Sequence, residues 1–244
     1  MKHLLSIILL VCILACGLSS CDDGNLTETY NTTKEGKVAK LNVGLATDAK
    51  TWANGYTLAF AAFSETSDYA ILLKYIRDFD NGKLNMTLSN IPDSTSSVEL
   101  CMVNRLRQRV VTFLKVEGED VTAAGKNDTI RIEADNINLG MFEAIQQKVF
   151  NTTCVNCHGG SNFVAANLNL TEGKSYDGIV NHPSTKVSGM NIVEAGDATN
   201  SVLFLALTTS LSKDDHWLYD HTQEVVRERM QKLFEDWINA GAKK

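Results

Sequence analysis

Cys154-Val155-Asn156-Cys157-His158 places two thiols and an imidazole within little more than one helical turn. Two cysteines three residues apart can each add to one of the two vinyl groups of a haem. The next residue then lies under the porphyrin, where its imidazole can bind iron. On that chemistry Cys154 and Cys157 form thioethers to haem c, and His158 is the proximal iron ligand. Two other chemistries use the same pair. A redox dithiol expects a strand–helix–strand setting, whereas here the motif follows a helical pattern. A structural zinc site needs four ligands, and the remaining ones could come only from His182, His216 or His221, with no second cysteine pair.

The elements that position the motif follow from periodicity. Met141, Phe142, Ile145, Val149 and Phe150 recur at helical spacing and run straight into Cys154. A region rich in Asn and Gly follows, then a short apolar run from Ser201 to Leu207. A long amphipathic helix is predicted from about Thr222 to Ala240. Its seam is Val226, Met230, Leu233, Phe234, Trp237 and Ile238, and Gly241 stops it. Phe150 lies one turn before Cys154.

Upstream, the period is two. Short runs begin at Lys37, Tyr56, Tyr69, Lys83, Ser97, Val110 and Thr129, separated by turn signals such as Asn54-Gly55 and Asp80-Asn81-Gly82. Seven strands over residues 37–135 predict an all-β, immunoglobulin-like sandwich. That segment has no His and no converging acids, so it reads as a structural or docking module, with Trp52 in its core.

The N-terminus predicts export. Lys2 and His3 precede an apolar run from Leu4 to Leu14, too short to span a bilayer, and Leu18-Ser19-Ser20-Cys21 resembles the bacterial lipobox. Residues 1–21 are thus expected to be a lipoprotein signal peptide, with Cys21 acylated. Residues 22–36 would be a polar tether. The expected location is the bacterial cell envelope, lipid-anchored, at the outer membrane. Cys12 and Cys16 leave with the leader, so Cys101, Cys154 and Cys157 remain. That odd number argues against a disulfide framework and leaves Cys101 as a lone buried thiol. The net charge of −6, or −7 without Lys2, carries no nucleic-acid footprint. Two prolines and 44% hydrophobic residues indicate folded structure rather than a disordered stalk.

Residues 139–244 resemble a class I, mono-haem cytochrome c domain of the type common in bacterial lipoproteins and planctomycete-like exported proteins. The resemblance rests on Val149 to Gly160, Leu168-Asn169-Leu170, Glu194 to Leu203 and the closing Trp237-Ile238-Asn239-Ala240-Gly241-Ala242. It implies an all-α cytochrome c domain over residues 136–244, with its first helix packed across its last, so that Phe150 would face Leu233 and Trp237. It also implies a Met-Pro pair before the closing Trp, the Met being the sixth iron ligand. This chain has no such pair. His221 falls at the nearest spacing and is the first candidate for the distal ligand, with His216 and Met190 as alternatives. His182 and Met230 are weaker. Two axial ligands leave the iron only electrons to pass. The expected function is therefore a membrane-anchored c-type cytochrome, not an enzyme, with an unnamed redox protein partner. An open iron would instead give a haem-based ligand-binding or accessory module of a larger envelope complex.

Overall fold

Alternating side chains place one face of each upstream run in an apolar interior, and each run forms a strand. The computed structural model describes residues 36–77, 82–126, 128–160, 164–209, 219–225 and 228–244. The signal peptide, Cys21, most of the tether, and His216 lie outside the described residues. The strands are β1 (Lys37–Leu45), β2 (Tyr56–Phe63), β3 (Leu72–Tyr75), β4 (Lys83–Ile91), β5 (Ser97–Asn104), β6 (Arg109–Glu117) and β7 (Thr129–Ile137). They form a three-stranded sheet in the order β4-β1-β7 and a four-stranded sheet in the order β3-β2-β5-β6. Pairing is antiparallel except for β1 with β7, which run parallel from Val38↔Thr129. The immunoglobulin order puts the first strand beside the second. Here β1 sits between β4 and β7, so that expectation is corrected.

The helical segments are short. They are α1 (Glu119–Thr122), α2 (Met141–Ile145), a π-helical run (Gln146–Cys154), α3 (Val155–His158), α4 (Ser175–Ile179), α5 (Val202–Thr208) and α6 (Glu228–Asn239). The last helix thus begins later than its amphipathic pattern suggests. Asp220 accepts from the Thr222 backbone at 3.0 Å and closes a separate turn, His221–Gln223, ahead of it.

A separate all-α cytochrome c domain over 136–244 is not formed, which corrects the second half of the expected fold class. Among the described residues the strands are gathered into two sheets, whereas the helical segments are short and scattered. Between α3 and α6 the backbone is interrupted by left-handed Ala166, Asn167 and Asn181 and by isolated β-bridges such as Val180↔Val193 and Asn191↔Ser201. Short helices cannot close a core alone, so their apolar faces join that of the sheets. Leu58, Phe60 and Leu100 belong to the same buried cluster as Phe142, Phe150, Phe234 and Trp237. Glu35–Lys244 accordingly form one compact unit.

Within that core the Phe150 ring meets Phe234 at 6.0 Å, and Trp237 meets Phe142 at 5.3 Å. The early helical run and the last helix therefore meet, with Phe234 against Phe150 and with Leu233 and Trp237 in the same buried cluster. Polar ties bind α6 to the sheets. Tyr56 donates to Asp236 at 2.7 Å, and Arg229 pairs with Asp68, which also takes Arg109 at 2.6 Å. Trp52 packs on this core and donates to the Leu139 carbonyl at 2.6 Å. Cys101 is buried with a free thiol, and burial pushes its pKa up.

Candidate haem site

The π-helical run delivers Cys154 to the start of α3. Widening a helix frees carbonyls, and Thr152 Oγ1 answers two of them, Lys148 at 2.9 Å and Val149 at 3.3 Å. Cys154 is half-buried against the core, whereas Cys157, one turn on, is exposed. Both thiols are free. Burial first, then the charges of Glu224 and Cys157, push the Cys154 thiol up to about 12. A redox dithiol needs a depressed pKa to supply thiolate, so this environment disfavours that chemistry.

Gly159 ends α3 directly after His158. A Cβ there would sit 2.7 Å from the Val155 carbonyl oxygen and 2.8 Å from its Cβ, so only glycine lets the chain turn this tightly. The loop that follows returns to the imidazole. His158 Nδ1 lies 3.0 Å from the Ala165 carbonyl and 3.2 Å from that of Leu168. Both are acceptors, so they hold the ring proton on Nδ1 and leave Nε2 for a metal. Leu170 N also donates to the His158 carbonyl at 2.7 Å. The left-handed backbone at Ala166 (φ 53°) and Asn167 (φ 56°) aims those carbonyls inward, a conformation that non-glycine residues adopt at some cost.

Across from His158 stands His221, with ring centroids 6.2 Å apart and planes 35° from parallel. His221 is half-buried on the turn that Asp220 caps. Its imidazole donates to the Tyr219 carbonyl, and the Tyr219 ring stands edge-on at 5.2 Å. The Tyr219 hydroxyl in turn donates to Glu224. Burial and then the neighbouring His158 lower the His221 pKa against the pull of Glu224, the Tyr219 carbonyl and Asp220. The ring is thus held neutral, which is the form that binds metals.

No protein-family model, curated protein or solved structure matches the chain. Two imidazoles on opposite sides of one haem iron have centroids about 6 Å apart, from two metal–nitrogen bonds of about 2 Å and roughly 1 Å from each nitrogen to its ring centre. The observed 6.2 Å fits that spacing. A tetrahedral zinc site fits less well, for among the described residues no three His, Cys, Asp or Glu side chains converge on one point.

His182 is exposed. Met190 closes its loop through its carbonyl, which accepts from Ser184 N at 2.8 Å. Met230 packs against the core. An open groove of about 420 Å³ reaches the site only at Thr153 and Glu224, and neither histidine lines it. Sequence reasoning missed Tyr219, Glu224 and the two carbonyls at His158. Tyr219 and Glu224 flank His221 at positions −2 and +3, a spacing that could have flagged them. The carbonyls had no residue signature to find.

Proposed function

We propose that this chain is a c-type cytochrome by its chemistry, though not by an all-α fold, and that it passes single electrons from a membrane-anchored position. The observation that carries the reading is the facing pair His158 and His221, 6.2 Å apart, beside Cys154 and Cys157. Cys154 and Cys157 would hold the haem covalently, with His158 and His221 on its two faces. Bound there, the iron would cycle between its ferric and ferrous states. The paired imidazoles favour the ferric state more than a His–Met pair would. With both rings on the iron no position would be left for an added ligand, which disfavours the ligand-binding alternative. Hydrogen bonding of both rings to backbone carbonyls fixes their orientation, so little would have to move when an electron arrives.

Cys21 is the proposed anchor, in the cell envelope and at the outer membrane. Among the described residues no helix is long and apolar enough to cross a membrane.

The test is covalent haem. Protein made alongside a c-haem maturation system should keep its haem through denaturing gel electrophoresis and give a c-type pyridine haemochrome spectrum. Cys154→Ala or Cys157→Ala should weaken or abolish both signals. Colourless protein with one zinc bound per chain would overturn the reading.

A further inference from the structure

The described residues expose five large apolar side chains, and four of them fall on neighbouring segments. They are Tyr69 (51% exposed), Ile71 (37%), Tyr75 (40%) and Leu106 (68%). The segments are stitched together. Tyr69 bridges Gln108, Ala70 N donates to the Arg107 carbonyl at 3.0 Å, and Ile71 N donates to Ala62 at 2.9 Å. Alternation along β3 turns Leu73 and Tyr75 to one face, and Ile71 directly precedes the strand. Leu106 stands at the tip of the β5–β6 turn. Asn104 Oδ1 accepts from both Leu106 N and Gln108 N, at 3.0 Å each, so this leucine is presented on a rigid tip.

Cations flank the tip of the patch. Arg105 and Arg107, on either side of Leu106, are exposed and form no ion pair among the described residues. Asp68, next to Tyr69, is already held by Arg109 and Arg229. This is a basic, tyrosine-bearing lip on a chain of net charge −6. Tyrosine with an apolar body and polar tip, and long cations that keep their charge in water, suit the boundary between lipid headgroups and acyl chains.

We propose that this lip rests on an anionic phospholipid surface. The choice of lipid over an acidic protein rests on the reading of Cys21 as the anchor. From Cys21 to Gly36 is 15 residues, which even fully extended reach only about 50 Å. So short a leash keeps the local lipid concentration high, and weak contacts then suffice to hold one face down. The lip turns a tethered domain into an oriented one.

The full acylated protein, reconstituted into vesicles of phosphatidylethanolamine and phosphatidylglycerol, provides the test. An environment-sensitive fluorophore is placed at Leu106→Cys or, as a control, at Glu133→Cys, exposed on β7. Cys101 is buried, and in the haem-loaded protein Cys154 and Cys157 would be held as thioethers; parent protein without the added cysteine, taken through the same labelling, sets the background. Nitroxide-bearing lipid should quench position 106 strongly and position 133 weakly. The difference should vanish in phosphatidylcholine vesicles, with Arg105→Glu plus Arg107→Glu, and at about 0.5 M salt, where the screening length is about 4 Å. Equal quenching at both positions, on protein that stays attached after washing, would overturn the proposal. So would quenching that persists in the double variant. A signal at position 106 that responds to an acidic protein but not to the vesicles would assign the lip to a protein partner instead. If the anchor reading alone fails, the protein washes off the vesicles, yet position 106 is still quenched when anionic vesicles are added back.

Discussion

Each ring of the facing pair has one nitrogen engaged by backbone, which leaves the gap between them set by two short turns and not by a long helix. Removing one ring should therefore open one coordination position and leave the other ring in place. His221→Ala is expected to convert a low-spin haem to a high-spin one that binds carbon monoxide, while parent protein does neither. The parent should also lack the weak long-wavelength band of an iron–methionine bond. If that band is present, and His221→Ala leaves the spectrum unchanged, Met190 becomes the ligand to examine. The thiol pair and His158 were legible in the sequence because their chemistry fixes their spacing. His221 was legible only as a histidine where a methionine was expected. The Ala165 and Leu168 carbonyls were not legible, because any residue can supply a backbone acceptor.

Between the two turns and the sheets, single polar side chains hold whole elements in place. Gln146, fully buried, donates to Asn151 at 2.7 Å and to the Leu170 carbonyl at 3.0 Å, and accepts from Ser175. It thereby joins the π-helical run to the loop that orients His158. Gln146→Leu leaves buried partners unsatisfied, at about 1–3 kcal/mol. A lowered melting temperature is expected, together with altered ferric electron-paramagnetic-resonance g-values as the His158 ring shifts; a variant that melts early with unchanged g-values would make Gln146 a packing residue only. Asp68 does the equivalent for α6. Burial works against its carboxylate, but hydrogen bonds from Arg109 and Arg229 outweigh that and hold its pKa below the usual range. A depressed folded-state pKa stabilises the fold above the unfolded value, about 3.9, and that contribution is lost as the pH falls through the folded value. Asp68→Asn should cost about 1 kcal/mol at neutral pH, a modest figure because the side chain is one-third exposed. The gap between parent and variant should close below about pH 4, and thermal melts across that range would show whether it does. Strand positions were readable because alternation reports directly which face is buried. The start of α6 was not, because Asp220 and Thr222 divert the chain into a separate turn before an otherwise continuous apolar seam.

At the scale of the whole chain, periodicity changes after Asn136, and the local structure changes with it, from strands to helices. Periodicity does not say what a helix packs against, and that is why a boundary in pattern suggested two bodies where the core is continuous. Trp237 is fully buried, stacks on Phe142, and donates to the Lys243 carbonyl at 2.8 Å. Its neighbours lie in the same buried cluster as Leu58, Phe60 and Leu100 of the four-stranded sheet. Unfolding should therefore be one event. Loss of the far-ultraviolet sheet signal and the shift of the haem Soret band that marks loss of native ligation should superimpose on a single denaturant curve, as two-state behaviour requires. Trp237→Ala, which empties the centre of the helical side, should cost about 3–5 kcal/mol. Because the core is shared, both signals should move together to lower denaturant in that variant. If only the haem signal moved, and the sheet kept the parent midpoint, the strands would own a core that the helices merely cover.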